Sequence, residues 1–145
     1  MIEMKGSKDI LSSIIKTTQM GQIGIRSVLN TTPRLDLKDA LRDQLKEYDE
    51  IEQEALDIAS SRGWVLDELD PSIKVMTNMM TRARLSFGNA TSKAAAMMIR
   101  GNTRGIIKGY KNLNQYEAAD TRISTLSHKL LRCEEANVRQ MQGFL

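Results

Sequence analysis

The sequence predicts an all-helical chain whose four long helices pack as an antiparallel bundle. Three observations carry this reading. Apolar residues recur at helical spacing over long stretches. Aromatics are only 4% while methionine is high at nine, so a core has to be filled by Leu, Ile, Met and Ala, which suits helix packing. Two prolines and no regular turn spacing leave no strand pattern. The length of 145 residues fits one domain, taken as 1–145, long enough to bury a core.

The first helix is predicted over 8–30, with Ser7 as its N-cap and Leu11, Ile14, Ile15, Ile25 and Leu29 on its inner face. Thr31-Thr32-Pro33-Arg34 breaks it. The second is predicted over 36–62, capped by Asp36, with Asp39 in its first turn and Gly63 as its stop. Its inner face carries Leu37, Leu41, Leu45, Tyr48, Ile51, Ala55 and Ala59. A short amphipathic helix over 73–87 follows Asp70-Pro71, with Ile73, Met76, Met80, Ala83 and Phe87 on one side. Gly88-Asn89 reads as a break, with Asn89 or Thr91 capping the next helix over 92–114, which presents Ala95, Met98, Ile99, Ile106, Tyr110 and Leu113. The last helix, over 120–143, presents Ile123, Leu126, Leu130, Val138 and Met141. The first and last pairs have short links and read as antiparallel hairpins. The long middle connection, with its own short helix, is a crossover that lets the third long helix run parallel to the second.

Hydrophobic residues at 41% and charged ones at 27% are ordinary for a soluble globular chain. The net charge of +3 is too small to imply nucleic-acid binding by itself. Charge is nevertheless segregated: residues 36–70 hold 12 acids and four bases, while residues 72–116 hold eight bases and no acid. Arg100, Arg104, Lys108 and Lys111 fall on the outward side of the third long helix, where a solvated face that pairs with the acidic second helix, within or between subunits, is the plainest reading. A lone Cys133 allows no intrachain disulfide and fits a reducing compartment. With no signal-like apolar run at the N-terminus and none long enough to span a bilayer, a cytoplasmic protein of bacterial style is expected.

A family resemblance rests on the order and spacing of four segments. Arg84 to Ser92, Ala94 to Asn102, Gly105 to Tyr110 and Leu130 to Asn137 resemble the crossover, third helix and fourth helix of bacterial ferritin-like domains of unknown function. The resemblance covers nearly the whole chain and implies a ferritin-like antiparallel four-helix bundle with a long helical crossover. In metal-binding members, two helices each give an inward Glu and the other two each give Glu-x-x-His, a hard-donor set for iron or manganese. Here Thr18, Tyr48 and Asn102 stand where Glu would be, and Ile51 and Asn137 where His would be. Only Glu134 remains, and one inward carboxylate does not neutralise two divalent metals in a low-dielectric core.

The candidate site is therefore a mid-bundle polar layer of Thr18, Gln22, Gln44, Tyr48, Glu52, Asn102, Glu134 and Asn137. Counting from the loops matches Thr18 with Tyr48, Gln22 with Gln44, and Asn102 with Glu134 in depth. The sole histidine, His128, points off the inner face, and Cys133 sits at its edge with no base nearby. Gly101, Gly105 and Gly109 read as close helix contacts. No catalytic set, metal site or cofactor is expected. The leading expectation is a non-enzymatic structural or interaction protein with a lost metal site. An alternative is a binder of one metal ion or small polar ligand through Glu134; a further one is an anion or nucleic-acid binder using the basic stripe. Met20, Ile23, Trp64, Val65 and Leu66 suggest a patch for a homodimer or other homo-oligomer, an unidentified protein partner is conceivable, and neither membrane nor nucleic acid is an expected partner.

Overall fold

The computed structural model describes residues 4–31, 33–86, 88–117 and 120–145. These residues form five helices and no strand: α1 (Ser7–Leu29), α2 (Leu35–Ser61), α3 (Ser72–Leu85), α4 (Ala90–Gln115) and α5 (Thr121–Gln142). None of them is long and apolar enough to cross a membrane.

Local chemistry sets the ends. Gly6, not Ser7, caps α1; its N–H reaches the Asp9 carboxylate at 3.3 Å, and the Ser7 hydroxyl instead meets the Tyr116 hydroxyl at 2.6 Å. Arg34 rather than Asp36 precedes α2, because Asp36 is held in the first turn by the Arg34 guanidinium at 2.8 Å. At the other end of α2, Gly63 takes φ +67° while the N–H of Trp64 returns to the Ala59 carbonyl at 2.9 Å, a Schellman closure that only glycine adopts without strain. Between α3 and α4, Gly88 and Asn89 take φ +51° and +22° in succession. Two consecutive left-handed residues cannot continue a right-handed helix, so residues 72–115 form two helices. The Asn89 side chain then accepts from the Ser92 N–H.

Asp120 caps α5. Its Oδ1 accepts from Arg122 and Ile123 N–H at 3.0 and 3.2 Å, and its Oδ2 takes the Arg62 guanidinium from the end of α2. These bonds, the Ile123 N–H first, hold the carboxyl below its usual range. Asp120→Ala is expected to lower the urea midpoint and speed amide exchange in the first turn of α5, while Asp120→Asn, which keeps an acceptor, retains most of the midpoint. Equal losses in the two variants would assign the effect to the Arg62 contact alone.

The long helices share one apolar core. Leu11, Ile15 and Ile25 of α1, Leu37, Leu41, Ile51 and Ile58 of α2, and Ile123, Leu126 and Met141 of α5 are almost wholly buried. Each such side chain contributes roughly 1.5–3 kcal/mol by leaving water. α1 packs on α2 and α4, and α5 on α4 and α2, with α3 laid against α1 and α4. Contacts run in opposite senses along each neighbouring pair. Arg26 and Gln22 of α1 meet Asp49 and Glu52 of α2; Gln140, Cys133 and Lys129 of α5 meet Gln44, Glu47 and Glu54 of α2. A short strap, residues 4–6, ties the start of α1 to the end of α4 through the Lys5 N–H on the Gln115 carbonyl and the Lys5 ammonium on Asn112.

α4 and α3 give little to this core. α4 buries mostly small or polar side chains, namely Ala94, Ala95, Met98, Asn102 and Asn112. α3 buries only Thr81. The expected apolar face of the short helix is thus not a core face: Met76 and Met80 are about half exposed, and Ala83 is exposed as well. Phe87 lies outside the described residues. Tyr110 also stands half exposed, donating to Glu135. The reason is spacing. α3 rests on top of α1 and α4 rather than between them, so its apolar side chains meet a cleft and solvent.

Candidate functional site

Where α1 and α4 face each other, four glycines replace side chains: Gly21 and Gly24 on one helix, Gly101 and Gly105 on the other. An added Cβ at Gly24 or Gly101 would meet nothing within 4 Å. The gap is a cleft of about 810 Å³, roofed by Met80, Thr81 and Arg84 of α3 and flanked by Met20, Met97 and Met98. That is within the range of small-molecule sites, roughly 300–1,000 Å³.

The floor of the cleft is polar. Tyr48 of α2, 1% exposed, passes its ring beside the bare backbone of Gly21 and donates its hydroxyl to Asn102 Oδ1 at 2.9 Å. Glu134 of α5, 2% exposed, lays its carboxyl over Gly105, whose missing Cβ would come within 2.9 Å of it. Each glycine therefore makes room for one floor side chain. Asn102 Nδ2 and Glu134 Oε2 have no hydrogen-bond partner, and neither does Thr81 Oγ1 in the roof. All three residues line the cleft and are at least 97% buried.

Burial raises the Glu134 carboxyl to about 8, with the adjacent Tyr48 hydroxyl partly opposing the shift. Near neutral pH the protonated form is thus favoured. Burial, and then the nearby Glu134, push the Tyr48 phenol well above its ordinary value. Cys133 donates its thiol to Glu47 Oε2 at 3.0 Å; burial first and that bond second push it up, so it stays a thiol and a poor nucleophile.

The predicted polar residues divide into separate sets. Tyr48, Asn102 and Glu134 meet at the cleft floor. Gln22 bonds Glu52 at 3.3 Å, not Gln44, which bonds Gln140 at 2.8 Å. Thr18 turns onto its own helix at the Ile15 carbonyl, and Asn137 donates to Cys133 Sγ at 3.7 Å. Glu52 alone of these is not fully buried. Depth counted from the first loop does not name the partners: Tyr48 lies beside Gly21 rather than Thr18, and the partner of Gln22 lies about two turns beyond Gln44.

Other expectations are corrected in the same way. Of the glycines on α4, Gly105 and Gly109 approach Glu134 and Leu131, but Gly101 faces the open cleft rather than a helix. Trp64 and Leu66 pack against the core, and the Arg62 guanidinium covers the Trp64 ring at 5.2 Å, so of the crossover trio only Val65 is freely exposed. Within one chain, the acids of α2 that form ion pairs do so with Arg26, Arg34 and Lys129, not with the α4 stripe, among the described residues. Composition and periodicity passed over Gly21 and Thr81. The paired glycines of Gly21-Gln22-Ile23-Gly24, on a helix otherwise rich in Ile, were the available signal.

Among the described residues no three His, Cys, Asp or Glu side chains converge as metal donors. A second hollow of about 400 Å³ beside Thr121, Ser124, His128 and Arg132 is lined by no unpartnered buried side-chain atom. His128 itself is exposed and bonds the Ser124 carbonyl. No protein family, curated protein or solved structure matches this chain.

Proposed function

We propose that this chain is a ferritin-like four-helix bundle that binds a small organic molecule in the cleft between α1, α3 and α4, without turning it over. One observation carries the reading: three of the five unpartnered buried side-chain atoms in the described residues, Thr81 Oγ1, Asn102 Nδ2 and Glu134 Oε2, belong to residues that line this one cleft, just beneath its surface. Leaving such groups unmatched costs about 1–3 kcal/mol each, so the site favours a ligand that brings oxygen atoms to them. A neutral Glu134 and the Asn102 amide supply donors for a carbonyl or hydroxyl, and the methionines supply an adaptable apolar wall. The antiparallel order of neighbouring helices and the single inward carboxylate fit a ferritin-like scaffold whose metal ligands have been replaced. With the thiol held protonated and a lone carboxyl on the floor, the site is equipped to hold rather than to transform.

The test uses 6-propionyl-2-dimethylaminonaphthalene, a neutral naphthyl ketone whose emission reports both apolar surroundings and a hydrogen bond to its carbonyl. The wild type is expected to bind it saturably at one site. Gly101→Phe, placed where an added Cβ meets nothing within 4 Å, is expected to weaken binding at least tenfold while circular dichroism shows an intact helical fold. Absence of saturable binding, or equal binding by the filled variant, overturns the proposal.

A further inference from the structure

We infer, building on the ligand-binding reading above, that the cleft selects organic anions: a carboxylate or phosphate head held at the mouth, on an apolar body that enters between the glycine faces. The mouth draws cations from three helices and the N-terminal strap. Lys16 comes from α1, Arg84 from α3, and Arg100, Arg104 and Lys108 from α4, with Lys5 beside them; only Asp9 and Asp67 oppose them there. The third carboxyl of the lining, Glu134, is buried at the floor, where burial favours its uncharged form.

These cations are not used up by the fold. Lys16, Arg84, Arg100, Arg104 and Lys108 enter no ion pair among the described residues, whereas three acids of α2 are matched elsewhere, Asp36 with Arg34, Asp49 with Arg26 and Glu54 with Lys129. A solvated stripe along one helix would spread its charge over a convex face. Here three of the four stripe residues turn toward a concavity and are joined by cations from other elements, so their fields add where a ligand would enter. Three guanidiniums supply planar donor forks that match carboxylate and phosphate oxygens. Behind them Met20, Met80, Met97 and Met98 line the passage with flexible apolar side chains. Cationic mouth, apolar walls and hydrogen-bonding floor together describe an amphiphile entered tail first, with an oxygen on its far end an added advantage.

The experiment displaces the naphthyl ketone with molecules that share one eight-carbon chain and differ in the head: octanoate, octyl phosphate, octanol and octylammonium. Octanoate and octyl phosphate are expected to compete about tenfold better than octanol, and octylammonium worst. Half-molar salt should shrink the anions' advantage and leave octanol unchanged. In Arg100→Gln/Arg104→Gln, octanoate should fall to the level of octanol while the ketone still binds. If the ketone binds but octanol equals octanoate, the anionic class is wrong and the cleft reading stands. If the ketone does not bind, the cleft reading fails and this inference with it. Octyl phosphate alone outcompeting octanol would narrow the head to phosphate.

Discussion

Gly21→Ala is expected to destabilise the fold, and Gly101→Ala to stabilise it, although both replace a glycine inside a long helix. Helix propensity alone favours alanine at each position by about 0.5–1 kcal/mol. At Gly101 nothing lies within 4 Å of the new methyl group, so that gain is realised. At Gly21 the methyl would stand 2.7 Å from two atoms of the Tyr48 ring. That ring is 1% exposed and rigid, and its hydroxyl is tied to Asn102, so moving it aside breaks that bond and disturbs its packing. Overpacking of this kind costs roughly 1–3 kcal/mol, which exceeds the propensity gain. The propensity gain is common to both, so the two alanine variants should differ by the overpacking cost, about 1–3 kcal/mol in urea denaturation, with opposite signs relative to wild type. Gly105→Ala should lie between them, because the group it meets is the end of the Glu134 side chain, which can swing toward the cleft. If Gly21→Ala proves neutral or stabilising, the close approach of α1 to Tyr48 is wrong.

Glu134→Gln is expected to flatten the pH dependence of stability. The folded protein raises this carboxyl from 4.5 to about 8, chiefly by burial. A folded pKa above the unfolded one means that the native state holds the proton more tightly, so stability is greatest below pH 4.5 and is lost as pH rises toward 8. The slope is about 1.4 kcal/mol per pH unit across that window. Tyr48 and Cys133, the other titrating groups beside it, are both shifted upward from values already above the window and stay neutral throughout. The carboxyls held below their usual range, Asp36, Asp70 and Asp120, change only in stronger acid. Glutamine has nearly the same shape and no proton to lose. Wild type and variant should therefore agree near pH 5, and the variant should be roughly 2–3 kcal/mol more stable near pH 7.5. Parallel curves in the two proteins would mean that Glu134 is solvated and ionised, and would remove the neutral donor from the cleft floor.

Helix positions, the turns between them and most of the inner faces follow from the sequence, because each depends on residues close in the chain. Leu11, Ile14, Ile15 and Ile25 on α1 repeat at the helical period, Asp120 and Asn89 offer cap acceptors, and Gly63 and Gly88 mark stops. The inward direction of Tyr48, Asn102 and Glu134 was legible for the same reason. The partners of the remaining polar residues were not, because those depend on how neighbouring helices sit along one another, and Gln22 reaches Glu52 rather than Gln44. The short helix was legible, but amphipathic spacing shows that one face is apolar, not what that face will cover; α3 covers a cleft. Glycine spacing carried the same ambiguity, since a missing side chain permits either contact or space. Only the packing of α1 against α4 decided that Gly21 and Gly105 would give room to Tyr48 and Glu134 while Gly24 and Gly101 would open a cavity. The periodicity of a chain sets what each helix can offer, and the distances between helices, which no local pattern encodes, set what the offered groups become.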